Sequence, residues 1–307
     1  MASAASSAIH TAALGKRYGA VPAVVDLSMT VPRGEVFGFL GPNGAGKTTS
    51  VKMLLGLTPA TSGEAWVLGS PIGDKLTRRR VGYLPELFRY QSWLRASEVL
   101  DVHCELAGIP RSARSTEVAR VLGLVGLGGR SSDRVGTFSK GMQQRLGLGV
   151  ALLGRPEVVF LDEPTSALDP VGRRDVREII RHLKDEGTSV FLNSHLLTEV
   201  EQVCDRVAMV NHGTVIATGT LPELLGRGGV RVRAEGLDGG AREVMAGFGE
   251  LRDEPGGWLM VEGLVEARVP ELVAAAVSAG ARVYAVEPRH QSLEERFMQL
   301  LGEPERD

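Results

Sequence analysis

The sequence predicts an α/β protein in two parts: a parallel sheet covered by helices on both faces, carrying an inserted helical subdomain, and then a small α+β domain. Three observations predict it. Short apolar strands alternate with helical segments up to about residue 225, and that alternation produces parallel strands with helices above and below. A glycine-rich segment running from Gly41 to Gly46 directly follows one of those strands. Past Leu225 the composition shifts through Gly226, Gly228 and Gly229, which read as a linker. At 307 residues the chain has room for about two domains with cores of their own.

Residues 1–8 are rich in Ala and Ser but lack a basic start and a sustained apolar run, so they read as a disordered tail and not as a signal peptide. The first domain then spans residues 9–225. Within it, residues 24–40 form two strands joined by the turn Pro32-Arg33-Gly34, and a helix starts at Lys47 and runs to Leu55. Strands follow at 64–68 and 81–84. From 97 to 127 the apolar positions Val99, Leu100, Leu106, Val118, Val121, Leu122 and Val125 recur at helical spacing, which marks a helical subdomain over about residues 90–137. A helix over 139–153, the strand 158–161, a helix over 172–184 and the strand 189–192 complete the pattern. The second domain, 226–307, reads strand (230–234), helix (240–247), strands (258–261 and 265–269), helix (270–279) and strand (282–286). That order is a split βαβ sandwich, closed by a helix over 292–301.

Charge excludes some functions. With 35 Lys and Arg against 37 Asp and Glu, the net charge of -2 supplies no bulk field for nucleic acid or anionic lipid. Cys104 and Cys204 are far apart and neither belongs to a CxxC pair, which points to buried free thiols in a reducing compartment. No window reaches the roughly eighteen apolar residues of a membrane helix.

The chemistry lies in two segments. Gly41-Pro42-Asn43-Gly44-Ala45-Gly46-Lys47-Thr48-Thr49 is a phosphate-binding loop in its required setting, after an apolar strand and before a helix. Its backbone N–H groups can curl around phosphate oxygens, Lys47 can reach the β and γ phosphates of a nucleotide, and the Thr48 hydroxyl can ligate Mg²⁺. The strand 158–161 then delivers Asp162 and Glu163 to its C-terminal end, where active sites of open α/β sheets lie. Asp162 is placed to hold Mg²⁺ through water, and Glu163 to polarise the water that attacks the γ phosphate.

Phe138-Ser139-Lys140-Gly141-Met142-Gln143-Gln144-Arg145 resembles the signature motif of ATP-binding cassette (ABC) proteins. The resemblance extends from about Ile9 to Leu225. It implies a P-loop NTPase fold of the ABC ATPase type, with Tyr18 stacking on adenine, Ser166-Ala167-Leu168-Asp169 as the D-loop and His195 as the switch histidine on the γ phosphate. It also implies that Ser139 and Gly141 bind ATP held by a second copy, and that Asp169 couples the two sites. Two departures from the commoner pattern stand out, one in the loop after residue 84 and one in the signature. Glu86 stands where many members have Gln near Mg²⁺ and the membrane partner, and Lys140 and Met142 replace Gly and Gln in the signature. Both departures resemble the branch serving ABC-2 type exporters, as does the closing Ser292-Leu293-Glu294-Glu295-Arg296-Phe297.

The resemblance therefore implies an ATPase that pairs with a second copy, sits peripherally at the cytoplasmic face of the membrane and powers drug or antibiotic efflux through a separate ABC-2 type permease, with no nucleic acid partner. The alternative is a soluble ABC ATPase acting on ribosomes or DNA, which commonly carries two cassettes or a long coiled coil. Three other features read as ordinary structure. Arg78-Arg79-Arg80 is a solvated helix end, His103-Cys104 lacks further metal ligands, and Arg173, Arg174, Arg177 and Arg181 recur at helical spacing as a charged outer face.

Overall fold

The structure, a computed structural model, describes residues 6–166, 168–225, 228–289 and 292–302. In chain order, β1 (Ser7–Tyr18) and β2 (Val21–Pro32) form a hairpin, and β3 (Val36–Leu40) leads through the glycine-rich loop into α1 (Lys47–Leu54). β4 (Ser62–Val67), β5 (Ser70–Pro71), α2 (Lys75–Arg78) and β6 (Val81–Leu84) follow. The helical subdomain expected at about 90–137 holds α3 (Ala96–Leu106) and α4 (Arg111–Leu124), and α5 (Lys140–Ala151) follows it. The chain returns through β7 (Val158–Asp162), α6 (Pro170–Asp185), β8 (Ser189–Asn193), α7 (Leu197–Val203), β9 (Arg206–Asn211) and β10 (Thr214–Thr220) to α8 (Leu221–Leu225).

β3, β7 and β8 are buried at every position, as their apolar runs require between two helical layers. They lie side by side and parallel, in the order β3-β8-β7. The register is fixed by aromatic side chains: Phe37 of β3 and Phe160 of β7 both stand opposite Phe191 of β8. Their rings pack at centroid distances of 5.8 and 5.2 Å, with Phe39 at 5.2 Å. Because side chains alternate across a strand, the residues two positions beyond this row share its face. That places Asp162 opposite Asn193 at the C-terminal edge.

The expected tail is shorter than residues 1–8. Ser7 and Ala8 are buried in β1, which pairs with β2 on one side and β4 on the other, while residues 1–5 lie outside the described residues. Cys104 and Cys204 are free and buried, as their spacing suggested. Burial raises both thiol pKa values, so neither is a ready nucleophile.

Contacts divide the chain into Met1–Leu221 and Pro222–Asp307. The second unit holds β11 (Gly229–Glu235), α9 (Gly239–Ala246), β12 (Glu250–Glu254), β13 (Trp258–Glu262), α10 (Val269–Ser278), β14 (Arg282–Arg289) and α11 (Leu293–Leu301). Its sheet runs β12-β13-β11-β14, antiparallel throughout, which is the strand order of a split βαβ sandwich. Val230, Val232, Leu259 and Val261 pack with Ala241, Met245, Leu272 and Ala276. On the other face, the Arg231 guanidinium lies 4.3 Å from the Trp258 ring centroid and donates to Glu287.

Two readings of this unit are corrected. The strand expected at 265–269 is a 3₁₀ turn, Glu266–Arg268, running into α10, because Pro270 occupies the first helical turn. The missing strand is the charged β12. Of the expected linker glycines, Gly226 lies outside the described residues and Gly229 begins β11.

Candidate active site

Parallel strands end on one edge, so the loops after β3, β7 and β8 converge. The loop after β3 is held against its neighbours by two glycines. A Cβ on Gly41 would lie 2.3 Å from Val210 O, and one on Gly46 would lie 2.3 Å from Ala23 O with φ at +94°. Neither position admits a side chain. Gly46 N-caps α1 without a side-chain hydrogen bond, leaving the helix N–H groups free to face an anion. Lys47 is folded into the loop, donating to Gly41 O at 2.6 Å and Pro42 O at 3.2 Å. Burial lowers its pKa, against opposing pulls from Glu163, Asp162 and Glu86. Pro42, Asn43, Gly44 and Thr48 are exposed, Thr49 is half-buried, and Ala45 is buried under the loop.

At the end of β7, Asp162 accepts a 2.5 Å hydrogen bond from Asn193 Nδ2. Burial raises the Asp162 pKa above the usual carboxylate value, with Glu86 and Glu163 adding to the rise and Asn193 and Lys47 opposing it. Glu163 stands in left-handed backbone at φ 51°, a conformation costly for a residue with a Cβ. Surrounding bonds hold it there. Its N–H donates to Asn193 O at 2.9 Å, and its Oε1 accepts from His195 N at 2.9 Å. Nδ1 of His195 lies 2.8 Å from Oε2, at ion-pair distance but without the alignment of a hydrogen bond. Glu163 Oε2 and Asn193 Oδ1 are therefore buried acceptors without a hydrogen bond.

These features fit Mg²⁺ and ATP. Buried carboxylate with a raised pKa, orphaned acceptors and an ammonium folded onto carbonyls all gain from a phosphate, its cation and its water. Among the described residues no three His, Cys, Asp or Glu side chains form a metal cage. A cation at this site would rely on Thr48, phosphate oxygens and water, the usual pattern for Mg²⁺.

Other expected residues are placed more loosely. Tyr18 is 52% exposed at the turn of the β1–β2 hairpin, and Lys16 Nζ sits 5.1 Å from its ring centroid. Glu86 is exposed after β6, yet its charge is felt by Lys47 and Asp162 and helps push Tyr83 up to about 12, where burial is the main cause. Ser139 caps α5 by accepting from Met142 N, and no hydrogen bond or ion pair among the described residues ties Ser139 or Gly141 to the phosphate loop. Asp169 caps α6 by accepting from Gly172 N at 2.8 Å; Ala167 lies outside the described residues.

Sequence reasoning missed Asn193 as the partner of Asp162; the signal was a polar residue ending an otherwise apolar strand. It also misread the arginines of α6. Arg173 donates to Leu168 O, Arg177 to Glu199, and Arg181 to Gln202 O, so three of the four grip neighbouring structure instead of forming an outer face.

A sequence model described as ABC transporter matches residues 24–166. An uncharacterised ABC transporter ATP-binding protein of Synechocystis is 43% identical over 92% of this chain and 79% of its own length. The linearmycin resistance ATP-binding protein LnrL of Bacillus subtilis is 32% identical over 95% of this chain and 97% of its own. Bacitracin transport ATP-binding protein BcrA of Bacillus licheniformis is 40% identical over 69% of each. A solved ATP-binding subunit of an ABC transporter superposes with a TM-score of 0.64 at 29% identity, covering 70% of this chain and 91% of that one. A strand edge built to receive phosphate and carboxylates set beside it, together with likeness along nearly the whole chain, place it in the ABC transporter family as an ATP-binding protein that hydrolyses ATP in the service of transport.

Proposed function

We propose that the chain is the ATPase subunit of an ABC-2 type export complex, in which two copies close on two ATP molecules at the cytoplasmic face of the membrane and drive a separate permease that expels a drug or antibiotic. The observation that carries this reading is the likeness to LnrL over 95% of the chain, C-terminal unit included. Among the described residues no helix is long and apolar enough to cross a membrane, which suits a separate permease. Leu87, which follows Glu86 in the chain, and Trp93, which precedes α3, are 88% and 66% exposed, and exposed apolar side chains of this kind suit contact with that partner.

In this mechanism Tyr18 stacks on adenine. Lys47 leaves the carbonyls of Gly41 and Pro42 for the β and γ phosphates, a stronger, charge-assisted contact. Thr48, and Asp162 and Glu86 through water, would hold Mg²⁺, which would supply charge neutralisation for the phosphates. Glu163 Oε2, lacking a hydrogen bond, takes the attacking water, and His195 turns to the γ phosphate. Ser139 and Gly141 of each copy cover the phosphate held by the other.

The test is resistance. Co-expression with the membrane protein that copurifies should raise a host's tolerance to a panel of antibiotics, and Glu163→Gln should abolish the gain. Undiminished tolerance in that variant would sink the proposal.

A further inference from the structure

α6 begins directly after Asp169, and α7 begins two residues after His195. Each helix therefore carries one functional loop at its N-terminus. Between them runs a ladder of hydrogen bonds, advancing about one turn at a time along α6, with its first two partners on α7 and its third, Asp205, just beyond the end of α7. Arg177 Nη1 donates to Glu199 Oε2 at 2.6 Å, Arg181 to Gln202 O at 3.2 Å, and Lys184 Nζ to Asp205 Oδ1 at 2.5 Å. The partners climb together, so the helices run alongside in the same direction. At the top of the ladder Arg173 Nε donates to Leu168 O at 3.1 Å, gripping the D-loop itself. At the bottom Asp205 Oδ2 accepts from Val36 N at 3.0 Å, tying the ladder to the start of β3.

The rung between Arg177 and Glu199 is the most shielded of the charged rungs, with both side chains largely withdrawn from water, at 17% and 11% exposure. A charge pair shielded in this way resists separation, since parting it strands a charge. Arg174, on the same helix, is exposed and pairs only loosely with exposed Glu178 at 3.7 Å. The arginines of α6 thus divide into a gripping row and a solvent row.

We infer that Arg173, Arg177 and Glu199 are positioning residues that lock the D-loop to the switch loop, so that a displacement of Asp169 at the subunit interface is delivered to His195. The inference rests on the reading of His195 as the γ-phosphate contact and Asp169 as the interface residue. A rigid pair of helices transmits motion where two independently moving loops do not, and the coupling it carries is a difference between the assembled and separate states. ATP binding to a single copy needs no such link. Turnover by the assembled pair does.

The test uses the full chain. Arg177→Met/Glu199→Gln removes both charges at similar volume, so neither is left buried alone. Equilibrium ATP binding should stay within about twofold of wild type, while kcat falls about tenfold at nearly unchanged KM and the Hill coefficient for ATP drops toward one. Arg177→Lys, which keeps the charge, should recover most of kcat, and Arg174→Ala should leave every parameter unchanged. Wild-type kcat and Hill coefficient in the double variant would overturn the inference, and so would ATP affinity and kcat falling together, the mark of a merely structural strut. His195→Ala is measured in parallel. Full turnover there removes the underlying reading and this inference with it, whereas loss there with full turnover in the double variant removes this inference alone.

Discussion

Glu163 and His195 touch twice: the carboxylate Oε1 accepts the His195 backbone N–H at 2.9 Å, and Oε2 lies 2.8 Å from the ring Nδ1. The loop after β8 cannot move at His195 without disturbing this carboxylate. Its position is thus set by the same residue that is proposed to follow the γ phosphate.

Glu163→Gln preserves the shape and can still accept from the His195 N–H, but an amide is a poor base. Steady-state ATP hydrolysis should fall by about a hundredfold to ten-thousandfold, with ATP affinity retained. On that background ATP with Mg²⁺ should produce a dimer by light scattering, and Ser139→Arg should remove it. A dimer indifferent to nucleotide and to Ser139 would contradict the proposed pairing.

Asn193 and Glu86 pull the Asp162 pKa in opposite directions, the first lowering it and the second raising it. Its raised folded value means that the ionised form is disfavoured, so this group contributes stability below the usual carboxylate value that is lost as pH rises through the folded one. Holding Mg²⁺ requires the ionised form. Asn193→Ala should therefore move the acid limb of the kcat/KM profile to higher pH, and Glu86→Gln should move it to lower pH. Shifts of the same sign would disconnect Asp162 from that limb.

The loop at Glu86 precedes the helical subdomain and is electrostatically joined to Lys47 and Asp162. Glu86→Ala should lower transport by a reconstituted complex more than hydrolysis by the isolated subunit. A proportional fall in both would indicate a role at the cation alone.

Phe191 packs against Phe37, Phe39 and Phe160 with no solvent exposure. Truncation to Ala should cost about 3–5 kcal/mol, read from urea unfolding of the variant. A loss under about 1 kcal/mol would show that the row does not organise the sheet.

The centre of the molecule was legible because its signals are local. Apolar runs such as Val158-Val159-Phe160-Leu161 read as buried strands, and the phosphate loop sits where strand meets helix. What escaped depends on neighbours. β12, Glu250-Leu251-Arg252-Asp253-Glu254, has almost no apolar character because it is an edge strand, paired on one side only with β13. Ser7 and Ala8 are too small to announce a strand; Ser7 is paired with Pro32 of β2, and Ala8 O accepts from Leu68 N just beyond β4. The row of α6 arginines has the spacing of a solvated face, and no feature of that spacing reveals that Glu199 waits across from it.

The Trp258–Arg231 stack gives the chain an internal probe. Of its three tryptophans, Trp66 and Trp93 belong to the first unit and Trp258 alone to the second. An indole pressed against a guanidinium at 4.3 Å has an emission that must change when the β11–β13 register is lost. With Trp66 and Trp93 replaced by Phe, fluorescence follows the melting of the second unit, while circular dichroism follows both. Whether the two signals coincide measures how far the units unfold as a single cooperative body.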